Sequence, residues 1–181
     1  MQIEKTYIPE LIVINPNVYE DNRGFFYENF NQKNFEKIIG SKVDFVQDNH
    51  SYSTRNVLRG LHYQINKPQG KLIRVTKGSC FDVAVDIRKS SKTFKKWFGV
   101  ELSEKNKKIF WIPKGFAHGF LVTSREAEVL YKATDYYSPK DERGIIWNDI
   151  DIGIKWPKTK NLTISDKDQI LPKLIKSDLF I

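Results

Sequence analysis

Cysteine is almost absent from this sequence: Cys80 stands alone among 181 residues, which excludes a disulfide within one chain. Long apolar runs are missing too. No stretch approaches the roughly 18 residues that a membrane-spanning helix needs. The opening residues, Met1-Gln2-Ile3-Glu4-Lys5, lack the charged-then-apolar layout of a secretion signal. A soluble cytoplasmic protein is expected. Acidic residues are in the minority, 22 against 30 basic, for a net charge of +8. With no recognisable nucleic-acid module behind it, that excess predicts a lysine-rich solvated surface and no nucleic-acid partner.

What is present is core material. Hydrophobic residues make up 40% and aromatics 13%, enough for one sizeable core and too much for a disordered chain. No linker, repeat or low-complexity segment divides the sequence, so a single domain over 1–181 is expected. Glycine, proline and asparagine punctuate short apolar or alternating runs. Strands are predicted at 11–14, 24–30, 43–47, 57–64, 72–76, 81–87, 97–102, 109–112, 119–123 and 126–134. In the clearest alternation, Phe81, Val83, Val85 and Ile87 share one face, with Asp82 and Asp86 opposite. One internal stretch reads as helix: Gln32 to Ile39, with Asn31 as N-cap and Gly40 as the stop. Many short strands with turns between them predict an all-β sandwich or barrel.

Three histidines are available for chemistry: His50, His62 and His118. His62 stands out because its predicted strand, Leu58-Arg59-Gly60-Leu61-His62-Tyr63-Gln64, also carries Arg59 and Gln64, with Gln69-Gly70-Lys71 close behind. A strand aims such side chains rigidly into the mouth of a barrel. Pro113-Lys114-Gly115-Phe116-Ala117-His118 resembles the second metal motif of the cupin double-stranded β-helix. The first cupin motif needs His-x-His and a nearby Glu. Here it reads His62-Tyr63-Gln64, and the next glutamate is Glu101. Too few ligands remain for a catalytic metal, so a cupin barrel without one is expected.

From about residue 3 to about residue 172 the chain resembles the dTDP-4-dehydrorhamnose 3,5-epimerases. The resemblance is carried by EDNRGFFYENF at 20–30, FVQDNHS at 45–51, VLRGLHYQ at 57–64 and QGKLIRVTKGSCFDVAVDIRKSS at 69–91. It continues through IPKGFAHGFLV at 112–122, VLYKATDYYSP at 129–139 and LTISDKD at 162–168. It implies a cupin-like jelly-roll barrel with a short helix and a C-terminal extension. It also implies proton transfer at C3, C5 or both of a nucleotide-linked 4-keto-6-deoxy sugar, with neither metal nor organic cofactor.

Residue by residue, the resemblance assigns His62 as base, Asp168 as its carboxylate partner, Lys71 as stabiliser of the C4 oxyanion and Tyr131 as acid. Arg23 and Arg59 match diphosphate-binding positions. Phe26, Glu28, Gln47, Asn49 and Tyr137 match the nucleoside pocket and its surroundings, and His118 is expected beside the sugar. A homodimer is implied, in which N-terminal strands reach into the neighbouring site. Three alternatives remain open: an epimerase of a GDP-linked 4-keto-heptose, a keto-isomerase on the same barrel, and a non-catalytic barrel that only binds sugar nucleotides. Replacing Tyr131 separates the first two reaction types, since only a cross-ring epimerase needs that acid.

Overall fold

Two strands far longer than the sequence predicts organise this computed structural model, which describes residues 1–181. In chain order the strands are β1 (Gln2–Lys5), β2 (Ile12–Asn15), β3 (Tyr19–Asp21), β4 (Gly24–Phe26), β5 (Gln47–Thr54) and β6 (Leu58–Gln64). They continue with β7 (Lys71–Asp86), β8 (Trp97–Ser103), β9 (Ile109–Ile112), β10 (Phe116–Ala133) and β11 (Glu142–Gly144). Helix α1 spans Gln32–Ile39, α2 spans Asp166–Gln169, and a 3-10 turn spans Leu174–Lys176. The runs at 72–76 and 81–87 are therefore one strand, β7. Those at 119–123 and 126–134 are one strand, β10.

Glycine explains why β7 bends instead of ending. Gly78 has φ +71°, and a Cβ there would lie 1.8 Å from the Glu126 carbonyl oxygen. Only glycine lets the two long strands pass each other at this corner. On one side of the bend, Lys71 to Arg74 pairs with β9, and Lys71 to Val75 with Val129 to Ala133 of β10. On the other, Ser79 to Val85 pairs with β8, and Cys80 to Asp86 with Phe116 to Val122 of β10. Each long strand thus belongs to two antiparallel sheets. The first runs β1-β2-β9-β7-β10-β5 and the second β8-β7-β10-β6-β11.

Alternation then sorts side chains into layers. Ile73, Val75, Phe110 and Val129 of the first sheet meet Cys80, Ala84, Leu102 and Phe120 of the second in one core. Each fully buried aliphatic side chain of this kind stabilises the fold by about 1.5–3 kcal/mol. Helix α1 covers the outside of the first sheet, with Phe35 edge-on to Trp111 at 5.1 Å. Its caps are those read from the sequence. The Asn31 side chain accepts from Asn34 N, and Gly40 adopts φ +71°. The C-terminal segment covers the outside of the second sheet, laying Ile152 and Leu174 on Leu61, Val83, Val85 and Ile87.

That outer cover explains the alternation read at 81–87. The apolar face of Val83, Val85 and Ile87 lies under the C-terminal segment, and the aspartates point inward. Asp82 and Asp86 are both fully buried. The strand expected at 43–47 is displaced. Pairing with β10 begins at Gln47 and runs through the polar stretch to Thr54, whereas Phe45 packs on Phe35 and Trp111.

Candidate active site

The inward faces of β5, β6, β7 and β10 are polar toward one end of the barrel. There they enclose a cavity of about 490 Å³, within the usual range for small-molecule sites. His62, Lys71, His118, Tyr131 and Asp168 all line it, together with Arg59. Lys71 and Tyr131 belong to the first sheet, and His62 and His118 to the second, where they are register partners. The two sets of side chains therefore enter from opposite walls.

His62 Nε2 lies 2.8 Å from Asp168 Oδ1, and the Gly60 amide donates to Asp168 Oδ2 at 3.0 Å. Asp168 sits on α2, where its own amide is capped by Ser165 Oγ at 3.2 Å. Gly60 is required for this approach. Its φ is +104°, and a Cβ would lie 2.6 Å from the His118 carbonyl oxygen. Burial opposes ionisation of Asp168, but hydrogen bonds from His62 and Gly60, the nearby imidazole and Ser165 hold its pKa below the usual carboxylate value. With Nε2–H donated to this carboxylate, Nδ1 is left as the basic nitrogen.

Lys71 is half-buried against the cavity, and the packed walls desolvate its ammonium. Burial brings its pKa down to about 8, against the attraction of Asp82 and Glu142. Its Nζ stands 5.8 Å from the centre of the Tyr131 ring. Burial raises the Tyr131 phenol, partly offset by Arg59, so the hydroxyl stays protonated at neutral pH. His118 Nε2 lies 3.0 Å from both oxygens of Asp82, yet burial outweighs that attraction and lowers the imidazole's pKa.

Asp82, Glu142, Lys167 and Ser51 belong to this constellation, and the sequence reading did not select them. Asp82 carried a signal, as a charged residue inside an alternating strand. Glu142 carried none, because β11 is three residues long; it accepts hydrogen bonds from Tyr137 Oη at 2.8 Å and from Lys167 Nζ. Gln47, Asn49 and Tyr137 are not among the residues that line the cavity; the Tyr137 amide donates to Gln47 Oε1 at 2.8 Å, and Gln47 Nε2 donates to Asn49 Oδ1 at 2.9 Å. Arg59 Nε is held by Ser53 Oγ at 3.0 Å.

Arg23, Phe26 and Glu28 stand apart from the cavity within one chain. Arg23 and Phe26 project from the exposed β3–β4 hairpin, where Arg23 pairs with Asp21 at 2.6 Å and Phe26 is 73% exposed. Glu28 accepts from Asn31 Nδ2 and Asn34 Nδ2 beside α1. Gln64, which stands where the first cupin motif has its second histidine, is committed to protein partners. It donates to the Lys67 and Tyr136 carbonyls and accepts from the Ser138 amide.

Comparison with known proteins agrees with this geometry. The sequence model of the family described as dTDP-4-dehydrorhamnose 3,5-epimerase matches residues 5–176. A protein of that name from Shigella flexneri is 57% identical over 182 residues, covering 100% of both chains. One from Salmonella typhimurium is 56% identical over 96% of each. The crystal structure of dTDP-6-deoxy-D-glucose-3,5-epimerase from Legionella pneumophila, in complex with dTDP-4-keto-L-rhamnose, superposes with a TM-score of 0.96. It is 51% identical and covers 98% of this chain and 94% of that one. The inward-facing site, the two bent sheets and these full-length likenesses place the chain in the dTDP-4-dehydrorhamnose 3,5-epimerase family, on a cupin-like fold.

Proposed function

We propose that this protein epimerises a dTDP-linked 4-keto-6-deoxyhexose at C3 and C5 by proton transfer through an enolate. The observation that carries this reading is the placement of a carboxylate-held imidazole on one sheet and a protonated phenol on the facing sheet, with an ammonium beside the phenol. A sugar ring between the walls meets a base on one face and an acid on the other.

His62 Nδ1 removes the proton from the carbon next to the ketone. The C–H electron pair becomes the enolate, and negative charge collects on the C4 oxygen. Asp168 stabilises the imidazolium that results. Lys71 meets the oxyanion as an ammonium, where a fixed charge in a partly desolvated site stabilises strongly. Tyr131 returns a proton to the same carbon from the opposite face, inverting it. His62 then loses its proton and Tyr131 regains one by exchange with solvent.

Arg59 supplies a guanidinium for the diphosphate, while Gln47, Asn49 and Tyr137 form a polar cluster suited to the base. Arg23, Phe26 and Glu28 are assigned to the site of a second copy in a homodimer. The exposed aromatics of the β3–β4 hairpin support that assignment, since Phe25 and Phe26 are left uncovered by their own chain. A cytoplasmic location is consistent with the single free thiol, Cys80, buried in the barrel.

Incubation with the dTDP-linked 4-keto sugar in heavy water, followed by NMR, tests the reading. Deuterium is expected at C3 and C5, and His62→Ala abolishes its incorporation. Tyr131→Phe keeps washout of the substrate proton but loses or narrows inversion. Absence of exchange with the wild-type protein overturns the proposal in favour of a binding barrel. Exchange only on a GDP-linked keto-heptose reassigns the substrate.

A further inference from the structure

One wall of the cavity comes from a stretch of chain with almost no regular structure of its own. Thr163, Ile164, Ser165 and Lys167 line it, immediately before Asp168. The segment leading to them, Lys155 to Asn161, carries Lys155, Lys158 and Lys160, all exposed and of one sign. Mutual repulsion and the lack of a helix or strand favour fraying here. It is held upstream by Trp156, whose Nε1 donates to the Trp147 carbonyl at 2.9 Å, and next to the cavity at a second point, the turn between β5 and β6.

That point is Asn56. Its Nδ2 donates to the Lys160 carbonyl at 2.9 Å, and its Oδ1 accepts from Thr159 Oγ1 at 2.5 Å. Its backbone carbonyl accepts from the Thr163 amide at 2.9 Å, and the Leu58 amide donates to Thr163 O at 2.9 Å. Asn56 itself adopts φ +66°, in the left-handed region that asparagine tolerates better than most residues. Both ends of one amide side chain are thus spent on residues more than a hundred positions away. Asp168, in contrast, is anchored on β6, by the Gly60 amide and by His62.

We propose that Asn56 is a latch: by gripping Thr159 and Lys160, its side chain fixes the stretch that leads into the cavity wall at 163–165 and so acts as a positioning residue for substrate binding. The wall lines the cavity, whereas the dyad keeps its anchors on β6, so loosening the latch weakens binding more than chemistry. The kinetic half of this inference rests on the epimerase reading; the structural half does not.

Asn56→Gly tests it, because glycine keeps the positive φ and removes only the side-chain bonds. Thr159→Val, which leaves the backbone unchanged, is the second variant should the first fold poorly. Hydrogen exchange is expected to quicken at least tenfold at the Thr163 amide in Asn56→Gly, with the β7 and β10 amides unchanged. In the exchange assay on the dTDP-linked 4-keto sugar, KM should rise about five- to twentyfold while kcat stays within about threefold. Thr159→Val should reproduce part of the rise, and the double variant should be no worse than Asn56→Gly alone, since both remove one shared bond. Unchanged exchange at Thr163 overturns the latch. Faster exchange with an unchanged KM overturns its role in binding, leaving Asn56 a turn residue. If the wild-type protein turns over nothing, the epimerase reading falls, and the exchange data alone decide the latch.

Discussion

Lys71 links activity and stability with opposite signs. Burial lowers its pKa from 10.5 to about 8. The fraction of ammonium is then roughly 0.9 at pH 7, 0.5 at pH 8 and 0.1 at pH 9. If that ammonium holds the enolate oxygen, kcat/KM of the wild-type protein falls tenfold per unit above about pH 8. Lys71→Met removes the charge at every pH and should lower kcat by roughly 10²–10³-fold, the loss typical of one oxyanion-stabilising donor.

Folding responds the other way. Protons bind Lys71 more tightly in the unfolded chain than in the native one. The penalty is complete below about pH 8, is relieved as pH rises, and vanishes above about pH 10.5. The displacement corresponds to about 3 kcal/mol, reduced to ~2 kcal/mol for a side chain that solvent partly reaches. Lys71→Met should therefore be about 2 kcal/mol more stable than wild type at pH 7 and no more stable near pH 11, as read from urea unfolding. Lys71→Arg retains its charge and should lose the basic limb while keeping partial activity. A limb still centred near pH 8 in Lys71→Arg, or a Lys71→Met protein less stable than wild type at pH 7, would refute this account of the site.

Two further perturbations probe the dyad. Asp168→Asn preserves shape but offers His62 an amide donor, favouring the wrong tautomer; kcat should fall roughly 10³–10⁴-fold with little change in KM. Because the Asp168 pKa is lowered on folding, its carboxylate stabilises the native state above about pH 4, and that contribution fades on acidification. Acid unfolding of Asp168→Asn should accordingly show a weaker pH dependence. Gly60→Ala forces a Cβ to 2.6 Å from the His118 carbonyl at φ +104°. It should cost about 2–4 kcal/mol of stability and at least a hundredfold in kcat. Near wild-type turnover in Gly60→Ala would mean that the approach of β6 to β10 does not set the dyad.

Much was legible along the chain wherever local chemistry acts alone. Asn31 and Gly40 bounded α1 because caps satisfy neighbouring backbone groups, and the β6 and β9 runs kept their extents because alternation and β-branching are local properties. The polar strand β5 escaped. Its half-buried residues Gln47, Asn49 and Ser51 are all polar, with Ser51 lining the cavity, so no apolar rhythm marked it. Strand β11 escaped because three residues hold too little pattern to read.

The sequence by itself determined the all-β class and the single helix of any length, and its long motifs pointed to His62, Lys71, Tyr131 and Asp168 as candidates. Tertiary structure alone decided that β7 and β10 run unbroken through two sheets, which places those four residues on facing walls of one cavity. It also decided that Asp82 points inward, that Glu142 and Lys167 meet beside Tyr137, and that Asn56 ties down the wall before Asp168. The physical reason is separation along the chain. A hydrogen bond across more than a hundred residues leaves no periodicity in sequence, and only the closed sheet brings its two ends together.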